Sequence, residues 1–162
     1  MFSSKPIAFF LIGTPGCGKS TWSKPLLESG QFDLISTDFF IDQYAKSVGK
    51  THDEVFREYI REAEKINKLY LKEVVEARRN LIWDQTNFLV KTRKRNLGKL
   101  DGYIKIAVVF SISEETQNVR LQKRKEEIGK SISEPILTDM RTRFEYPTLE
   151  EGFNQIIEIK YD

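Results

Sequence analysis

The chain alternates short apolar runs with longer stretches in which apolar residues recur every three or four positions. The six consecutive apolar residues Ile7–Ile12 are typical of a central strand that is covered on both faces. Apolar and β-branched residues also predict strands at Phe32–Ser36, Leu81–Asp84 and Ile104–Phe110, and Ile156–Ile159 is the candidate for a last strand. The pattern therefore predicts a sheet whose strands are spread along the whole chain.

The stretches between the apolar runs have the pattern of helices. A glycine-rich turn leads into a predicted helix at residues 20–29, and two more are predicted at residues 113–127 and 133–144. The longest helix opens at a capping box, Thr51–Glu54, and its apolar stripe continues to Ala77. Strands that alternate with helices predict an α/β fold with a mainly parallel sheet, in which ligands bind beyond the carboxyl ends of the strands.

Composition narrows the class of protein. A chain of 162 residues with 40% hydrophobic residues fits one compact domain, residues 1–162. The net charge of +2 argues against binding nucleic acid over the whole surface, so any such contact must come from a local patch. The lone Cys17 excludes an internal disulfide and fits a reducing, cytoplasmic location, and the lone His52 argues against a histidine-rich metal site. No run approaches the roughly 20 apolar residues that cross a membrane.

The turn after the first predicted strand carries the most specific local motif. It matches the phosphate-loop pattern G-x-x-x-x-G-K-[ST] in full, with a strand before it and a helix after it. Its backbone N–H groups and the helix N-terminus favour phosphate oxygens, its lysine reaches the β- and γ-phosphates, and its serine hydroxyl suits Mg²⁺. We interpret the cysteine at a variable position of the loop as a small filler, not a nucleophile. The motif is Gly13-Thr14-Pro15-Gly16-Cys17-Gly18-Lys19-Ser20.

Two acidic residues stand at the ends of predicted strands. Asp38 directly follows the second strand, where its carboxylate has two open roles: general base for an attacking hydroxyl, or N-cap of a helix beginning near Phe39. Asp84 ends the third strand, a position that favours holding Mg²⁺ or its waters over starting a turn. The next polar residues, Thr86 and Asn87, either contact a substrate or are ordinary turn residues.

Two basic stretches follow the third and fourth strands. The first, residues 91–99, is expected to form a solvated helix face. In the second, Arg120 and Arg124 are four apart and therefore share one face of a helix. An arginine carried over the phosphates can neutralise charge that develops during phosphoryl transfer. We therefore interpret residues 118–133, approximately, as a lid.

Taken in order, these residues resemble the polynucleotide 5′-hydroxyl kinase family. The resemblance covers the phosphate loop with Thr21 and Trp22, then Asp38, the Asp84–Asn87 segment and the two lid arginines. It ends in residues 143–153, RFEYPTLEEGF, which are similar to the F-E-x-P-T-x-x-E-G-F pattern of the animal members. This last pattern is far more specific than the phosphate loop.

The resemblance implies a fold, a reaction and a role for each matching residue. It implies a five-stranded sheet in the order 2-3-1-4-5 with a helical lid, and transfer of the γ-phosphoryl group of ATP, with Mg²⁺, to a 5′-hydroxyl of DNA or RNA. Lys19 and Asp38 match the catalytic lysine and general base, and Arg124 matches the lid arginine that stabilises the transition state. The implied binding residues are Gly13–Thr21, Arg120 and Arg124 for ATP, Ser20 and Asp84 for the metal, and Asp38, Thr86 and Asn87 for the acceptor.

The sequence departs from the family at identifiable positions. Thr37 stands where an arginine often precedes the base, and Ile41 stands where the phage enzyme holds a substrate phosphate with arginine. The chain also lacks the D-x-D-x-T phosphatase motif, so we do not expect it to repair ends in both directions by itself.

Three other functions remain compatible with the motifs. The first is phosphorylation of a hydroxymethyl group on a modified pyrimidine in DNA. It is motivated by Ile41, which stands where the phage enzyme has an arginine. The second is a small-molecule kinase acting on a nucleoside-like acceptor, which the modest net charge allows. The third is an ATP-dependent nucleic-acid-binding module without catalysis, because Asp84-Gln85-Thr86-Asn87 also resembles the kinase-like domain of a nuclear ribonucleoprotein.

Overall fold

A parallel sheet forms the centre of the molecule. The computed structural model describes residues 4–161. Neighbouring strands pair in parallel in the order β2-β3-β1-β4-β5, which confirms the expected topology. The strands are β1 (Ile7–Ile12), β2 (Asp33–Ile35), β3 (Leu81–Asp84), β4 (Ile104–Ile112) and β5 (Gln155–Tyr161).

Helices cover both faces of this sheet and follow the predicted segments closely. A short helix, α4, occupies the first basic stretch, where a helix was expected, and a 3₁₀ turn, Leu149–Glu151, precedes β5. Within residues 4–161, no helix combines the length and the apolar character that crossing a bilayer requires. The helices are α1 (Lys19–Glu28), α2 (Thr37–Ser47), α3 (His52–Glu76), α4 (Val90–Leu97), α5 (Glu114–Ile128) and α6 (Glu134–Arg143).

The position of β1 in the middle of the sheet explains why this strand is apolar at every residue. Phe10 points to one face of the sheet, where it stacks on Trp83 with ring centroids 5.3 Å apart. Leu11 points to the opposite face, toward α1. Because side chains alternate along a strand and helices cover both faces, Ala8 and Phe10–Ile12 are buried and Ile7 and Phe9 are half-buried. This burial fixes the point at which the phosphate loop leaves the sheet.

Helix α2 is held in place by α3. Both halves of the predicted capping box are present: Thr51 Oγ1 accepts from the Glu54 N–H, and the Glu54 carboxylate accepts from the Thr51 N–H at 2.7 Å. The rings of Tyr44 and Tyr59 stack with centroids 4.0 Å apart, and Ile41 of α2 is fully buried in the same contact. The first turn of α2, which carries Asp38, is therefore anchored to a long and well-capped helix.

Candidate active site

The phosphate loop adopts a backbone that requires glycine. Gly16 and Gly18 have φ angles of 78° and 101°, which residues other than glycine rarely adopt. A Cβ atom at Gly18 would also lie 2.5 Å from the Tyr161 ring. Within the loop, the Lys19 ammonium donates to the Gly13 carbonyl at 2.7 Å. The loop therefore curls tightly at the start of α1, and N–H groups of a loop curled in this way suit phosphate oxygens.

The segment after β3 supports the loop from below. The Gly13 N–H donates to the Thr86 carbonyl at 3.1 Å, and the Asn87 side-chain amide donates to the Leu11 carbonyl at 3.1 Å. Asn87 is only 3% exposed and has a φ of 48°, a left-handed conformation that asparagine tolerates better than most residues. The structure thus places the side chain of Asn87 in the interior, below the phosphate loop and away from the cleft where an acceptor would bind.

A buried ion pair holds this supporting segment. Arg93 on α4 is fully buried, its Nε donates to Glu151 Oε1 at 2.7 Å, and its Nη1 donates to the Asn87 carbonyl at 2.8 Å. The expectation of a solvated helix face is therefore wrong for Arg93, although Lys91, Lys94 and Arg95 are exposed. A buried guanidinium is tolerated because a carboxylate and a carbonyl satisfy it. Glu151, the acidic partner of this buried ion pair, comes from the family-like segment at residues 143–153.

Gln117 at the start of α5 fixes the other side of the loop. Its side-chain amide donates to Thr14 Oγ1 at 2.6 Å and to the Pro15 carbonyl at 2.7 Å. Arg141 on α6 donates to the Gln117 carbonyl oxygen at 2.6 Å, which orients the amide. The sequence analysis did not identify Gln117 or Arg141, because neither residue belongs to a motif. The only signal was a glutamine about one helical turn beyond the end of a predicted strand.

Asp38 lies in the first turn of α2 and is not its N-cap. Ser36 fills that role, because its hydroxyl accepts from the Phe39 N–H at 3.3 Å, and the helix begins at Thr37. The Asp38 side chain is 55% exposed. Its carboxylate lies 3.1 Å from the ammonium of Lys130, which belongs to the segment after α5. This arrangement removes the N-cap interpretation and pairs the carboxylate with a lysine of the predicted lid.

Several charges converge on Asp84 at the end of β3. Partial burial raises the pKa of its carboxyl, and the positive charges of Lys19, Lys130 and Arg124 oppose that rise, whereas the Asp38 carboxylate adds to it. These groups come from the phosphate loop, from α2 and from the lid. Residues that are far apart in sequence therefore meet at one edge of the sheet, as the parallel topology predicts.

The predicted metal ligands fit Mg²⁺. Ser20 is exposed in the first turn of α1, and Asp84 is the last residue of the neighbouring strand β3. Mg²⁺ usually takes one or two protein oxygens and completes its shell with waters and substrate phosphates. A hydroxyl and a single carboxylate beside a phosphate loop are consistent with that demand.

The remaining predicted residues surround the loop. Arg120 lies over the Tyr161 ring, with its guanidinium carbon 5.1 Å from the ring centroid, and next to Gly18. Thr21 is exposed on α1. Cys17 is 1% exposed, and burial raises the pKa of its thiol although Lys19 opposes the rise. A buried thiol with a raised pKa is a poor nucleophile, which agrees with its interpretation as a filler.

Comparison with a family model assigns the domain. A model described as AAA domain (AAA_33) matches residues 9–147, which include the phosphate loop, Asp38, Asp84 and both lid arginines. The chain belongs to this AAA domain family. The match contains every residue that we placed around the phosphate loop except Glu151 and Tyr161.

Solved structures share the fold of this AAA domain. A protein from Chloroflexus aurantiacus that is provisionally assigned as a kinase aligns with a TM-score of 0.70 and 21% identity, over 96% of this chain and 85% of that chain. Pnkp1 in the Pnkp1/Rnl/Hen1 RNA repair complex aligns with a TM-score of 0.68 and 22% identity, over 88% of this chain and 45% of that chain. Kti12 from Chaetomium thermophilum, in complex with ADP-AlF3, aligns with a TM-score of 0.60 and 16% identity, over 96% and 89%. At these identities the likeness shows a P-loop kinase-like fold.

Proposed function

We propose that this AAA domain is an ATP-dependent kinase that transfers the γ-phosphoryl group to a 5′-hydroxyl end of DNA or RNA. The observation that carries the proposal is the convergence of Lys19, Asp38 and Arg124 around Asp84. This combination supplies a phosphate ligand, an exposed base and a cation of helix α5 at one edge of the sheet. Each is a component that phosphoryl transfer to an alcohol requires.

The proposed reaction assigns one step to each group. Asp38 accepts the proton of the acceptor hydroxyl, whose oxygen attacks the γ-phosphorus in line with the bond to the β-γ bridging oxygen. That bond breaks, and ADP leaves with the electron pair. Lys19 and Arg124 stabilise the negative charge on the transferring group. Ser20 and Asp84 would hold Mg²⁺, which supplies further charge neutralisation on the phosphates.

Three features support a polynucleotide as the acceptor. The segment at residues 143–153 resembles polynucleotide kinases, and the structurally similar Pnkp1 belongs to an RNA repair complex. In addition, Phe39, which follows Asp38 in α2, is 40% exposed and offers an aromatic surface on which a terminal base can stack. Ile41 is fully buried, so position 41 faces the core and cannot offer a cation to the acceptor in any case.

The direct test measures transfer of labelled phosphate from ATP to 5′-hydroxyl oligonucleotides. Asp38→Asn should lower kcat by about 100-fold or more, because it removes the general base, while the Kd for ATP stays unchanged. Asp101→Asn is the matched control, because Asp101 is exposed in a turn at the opposite edge of the sheet. Unchanged kcat in Asp38→Asn would contradict the role of Asp38, and the lack of transfer to every DNA and RNA end would contradict the acceptor.

An acceptor panel separates the proposal from its alternatives. It contains 5′-hydroxyl DNA, 5′-hydroxyl RNA, duplex DNA with hydroxymethyluracil and blocked 5′ ends, and free nucleosides. The proposal predicts transfer to the oligonucleotide ends, with binding that weakens as salt rises, because phosphate contacts release counterions. Transfer to the blocked duplex alone would indicate a base kinase, transfer to nucleosides alone a small-molecule kinase, and ATP binding without turnover a binding module.

A further inference from the structure

A cluster of four charged or titratable residues connects the candidate base to the lid. Asp38 and Asp42 are one helical turn apart on α2. His52, the first residue of α3, is 7% exposed and lies with its Nδ1 2.7 Å from Asp42 Oδ1. From the other side, the Lys130 ammonium lies 3.1 Å from Asp38 Oδ2 and 3.3 Å from Asp42 Oδ2. Lys130 of the lid thus bridges the two carboxylates, and His52 of the protein body holds Asp42.

The lid segment that carries Lys130 is docked on the start of α3. The Ser131 N–H donates to Asp53 Oδ2 at 2.9 Å. Gly129 has a φ of 61°, and a Cβ atom there would lie 2.5 Å from Thr51 Cγ2. The glycine therefore allows the lid backbone to approach the capping box of α3 closely. These contacts place Lys130 beside α2 and leave its side chain 13% exposed.

Asp42 provides a fixed anion for this contact. Burial alone would raise the pKa of its carboxyl, but the hydrogen bond from His52 and the charge of Lys130 outweigh burial, so the pKa is lowered. Asp42 therefore stays ionised at neutral pH. Because His52 orients one of its oxygens, the other is directed at the Lys130 ammonium.

The two oxygens of Asp38 are not equivalent in this arrangement. Oδ2 is held by Lys130, whereas Oδ1 lies 4.0 Å from His52 Nε2, beyond hydrogen-bond distance. Oδ1 is therefore available to accept a proton from an acceptor hydroxyl. A carboxylate that is 55% exposed would otherwise rotate freely about its side-chain bonds.

We propose that Lys130 is a positioning residue: from the docked lid it holds one oxygen of Asp38 against Asp42 and presents the other to the acceptor. The proposal rests on the proposed role of Asp38 as the general base. It makes lid docking a condition for correct orientation of the base. Opening of the lid would then release ADP and relax Asp38 in a single movement.

The test compares Lys130→Ala and Lys130→Arg with a control on the same lid. Lys123→Ala is the matched control, because Lys123 is an exposed lysine of α5. Its ammonium pairs with the exposed Glu127 carboxylate at 3.7 Å. With ATP and a 5′-hydroxyl oligonucleotide, Lys130→Ala should lower kcat by about 10- to 100-fold and leave the KM for ATP within about twofold, since geometry and not binding is lost. Lys130→Arg should recover most of kcat, and the kcat of Lys123→Ala should equal that of the wild-type protein.

A second readout does not depend on turnover. Amide hydrogen exchange of residues 37–42 and 129–133 should increase in Lys130→Ala and stay unchanged in Lys123→Ala. Unchanged kcat or unchanged exchange in Lys130→Ala overturns the positioning role, and so does a rise in kcat, which would mean that Lys130 obstructs the base. If the unchanged protein phosphorylates no polynucleotide, the proposed acceptor fails, whereas the exchange measurement still decides whether Lys130 orders Asp38.

Discussion

Two ionic clusters, one on each side of the cleft, differ in almost every physical respect. Below the phosphate loop, the side chains of Arg93 and Glu151 are 0% and 3% exposed, and both belong to the body of the domain. On the side of the proposed acceptor, Asp38 is 55% exposed and its cationic partner, Lys130, belongs to the predicted lid. In our proposal the donor side is preformed within the domain body, whereas the acceptor side is completed when the lid docks.

This difference follows from the cost of burying charge. A buried ion pair is tolerated only with full hydrogen bonding, and removal of one partner leaves an uncompensated charge in the interior. An ion pair with a solvent-exposed partner contributes less stability and is easier to break. We infer that the Arg93–Glu151 pair serves the shape of the phosphate loop. The Asp38–Lys130 pair, in which the carboxylate is largely exposed, serves a contact that forms and breaks in the proposed catalytic cycle.

The largest expected effect comes from breaking the buried pair. Arg93→Ala should lower the free energy of unfolding by about 3–5 kcal/mol, because Glu151 is left buried without its partner. The double substitution Arg93→Met with Glu151→Leu should recover much of that loss, since it removes both charges. Urea unfolding at neutral pH measures both values. A loss below about 1 kcal/mol in Arg93→Ala would show that the pair does not support the fold.

The second effect concerns the amide that holds the loop from α5. Gln117→Ala should cost about 1–3 kcal/mol of stability, because buried polar groups around it lose their partners. It should also raise the KM for ATP, because Thr14 and Pro15 lose their donor. Asn118→Ala, at the exposed neighbouring position, is the control. Steady-state kinetics with varied ATP provides the measurement, and an unchanged KM would speak against the assigned role.

The third effect has opposite signs for stability and activity. The pKa of Asp84 is raised in the folded state, so the folded protein holds this proton more tightly and ionisation at higher pH costs stability. Asp84→Asn should therefore stabilise the protein by about 1 kcal/mol at neutral pH while lowering Mg²⁺-dependent transfer. The difference in stability between Asp84→Asn and the wild-type protein should shrink below pH 3.8, the usual aspartate pKa. There Asp84 is protonated in both the folded and the unfolded wild-type protein. Thermal unfolding across pH measures it, and destabilisation at neutral pH would refute the sign.

The smallest effect tests how precisely α2 presents Asp38. Ser36→Ala removes the N-cap of α2 and should cost about 1 kcal/mol. Ser113→Ala removes the N-cap of α5, where the hydroxyl accepts from the Thr116 N–H at 3.2 Å, and should cost a similar amount. Ser36→Ala should also lower kcat with an unchanged KM for ATP, because it loosens the turn that carries the base. Ser113→Ala should act mainly on the KM for ATP, because α5 carries Gln117, which holds the phosphate loop. Equal kcat values in the two variants would show that this turn needs no cap for function.

Local features were predictable from the sequence, and long-range pairings were not. The apolar run of β1, the phosphate loop and the capping box at Thr51 each depend on neighbouring residues, and the structure contains all three. Arg93 and Glu151 are 58 positions apart, and Lys130 and Asp42 are 88 positions apart. No periodicity links such residues, because their contact exists only after the sheet has assembled. Ser36 and Asp38 are both competent N-caps, so only the backbone could decide between them.

The most direct measurement of the central claim is a structure of the protein with a non-hydrolysable ATP analogue and a 5′-hydroxyl oligonucleotide. We expect Asp38 Oδ1 within about 2.6–3.2 Å of the terminal hydroxyl oxygen, and that oxygen about 3–3.5 Å from the γ-phosphorus and in line with the leaving group. An acceptor hydroxyl bound away from Asp38, with the carboxylate still directed elsewhere after lid docking, would contradict the account.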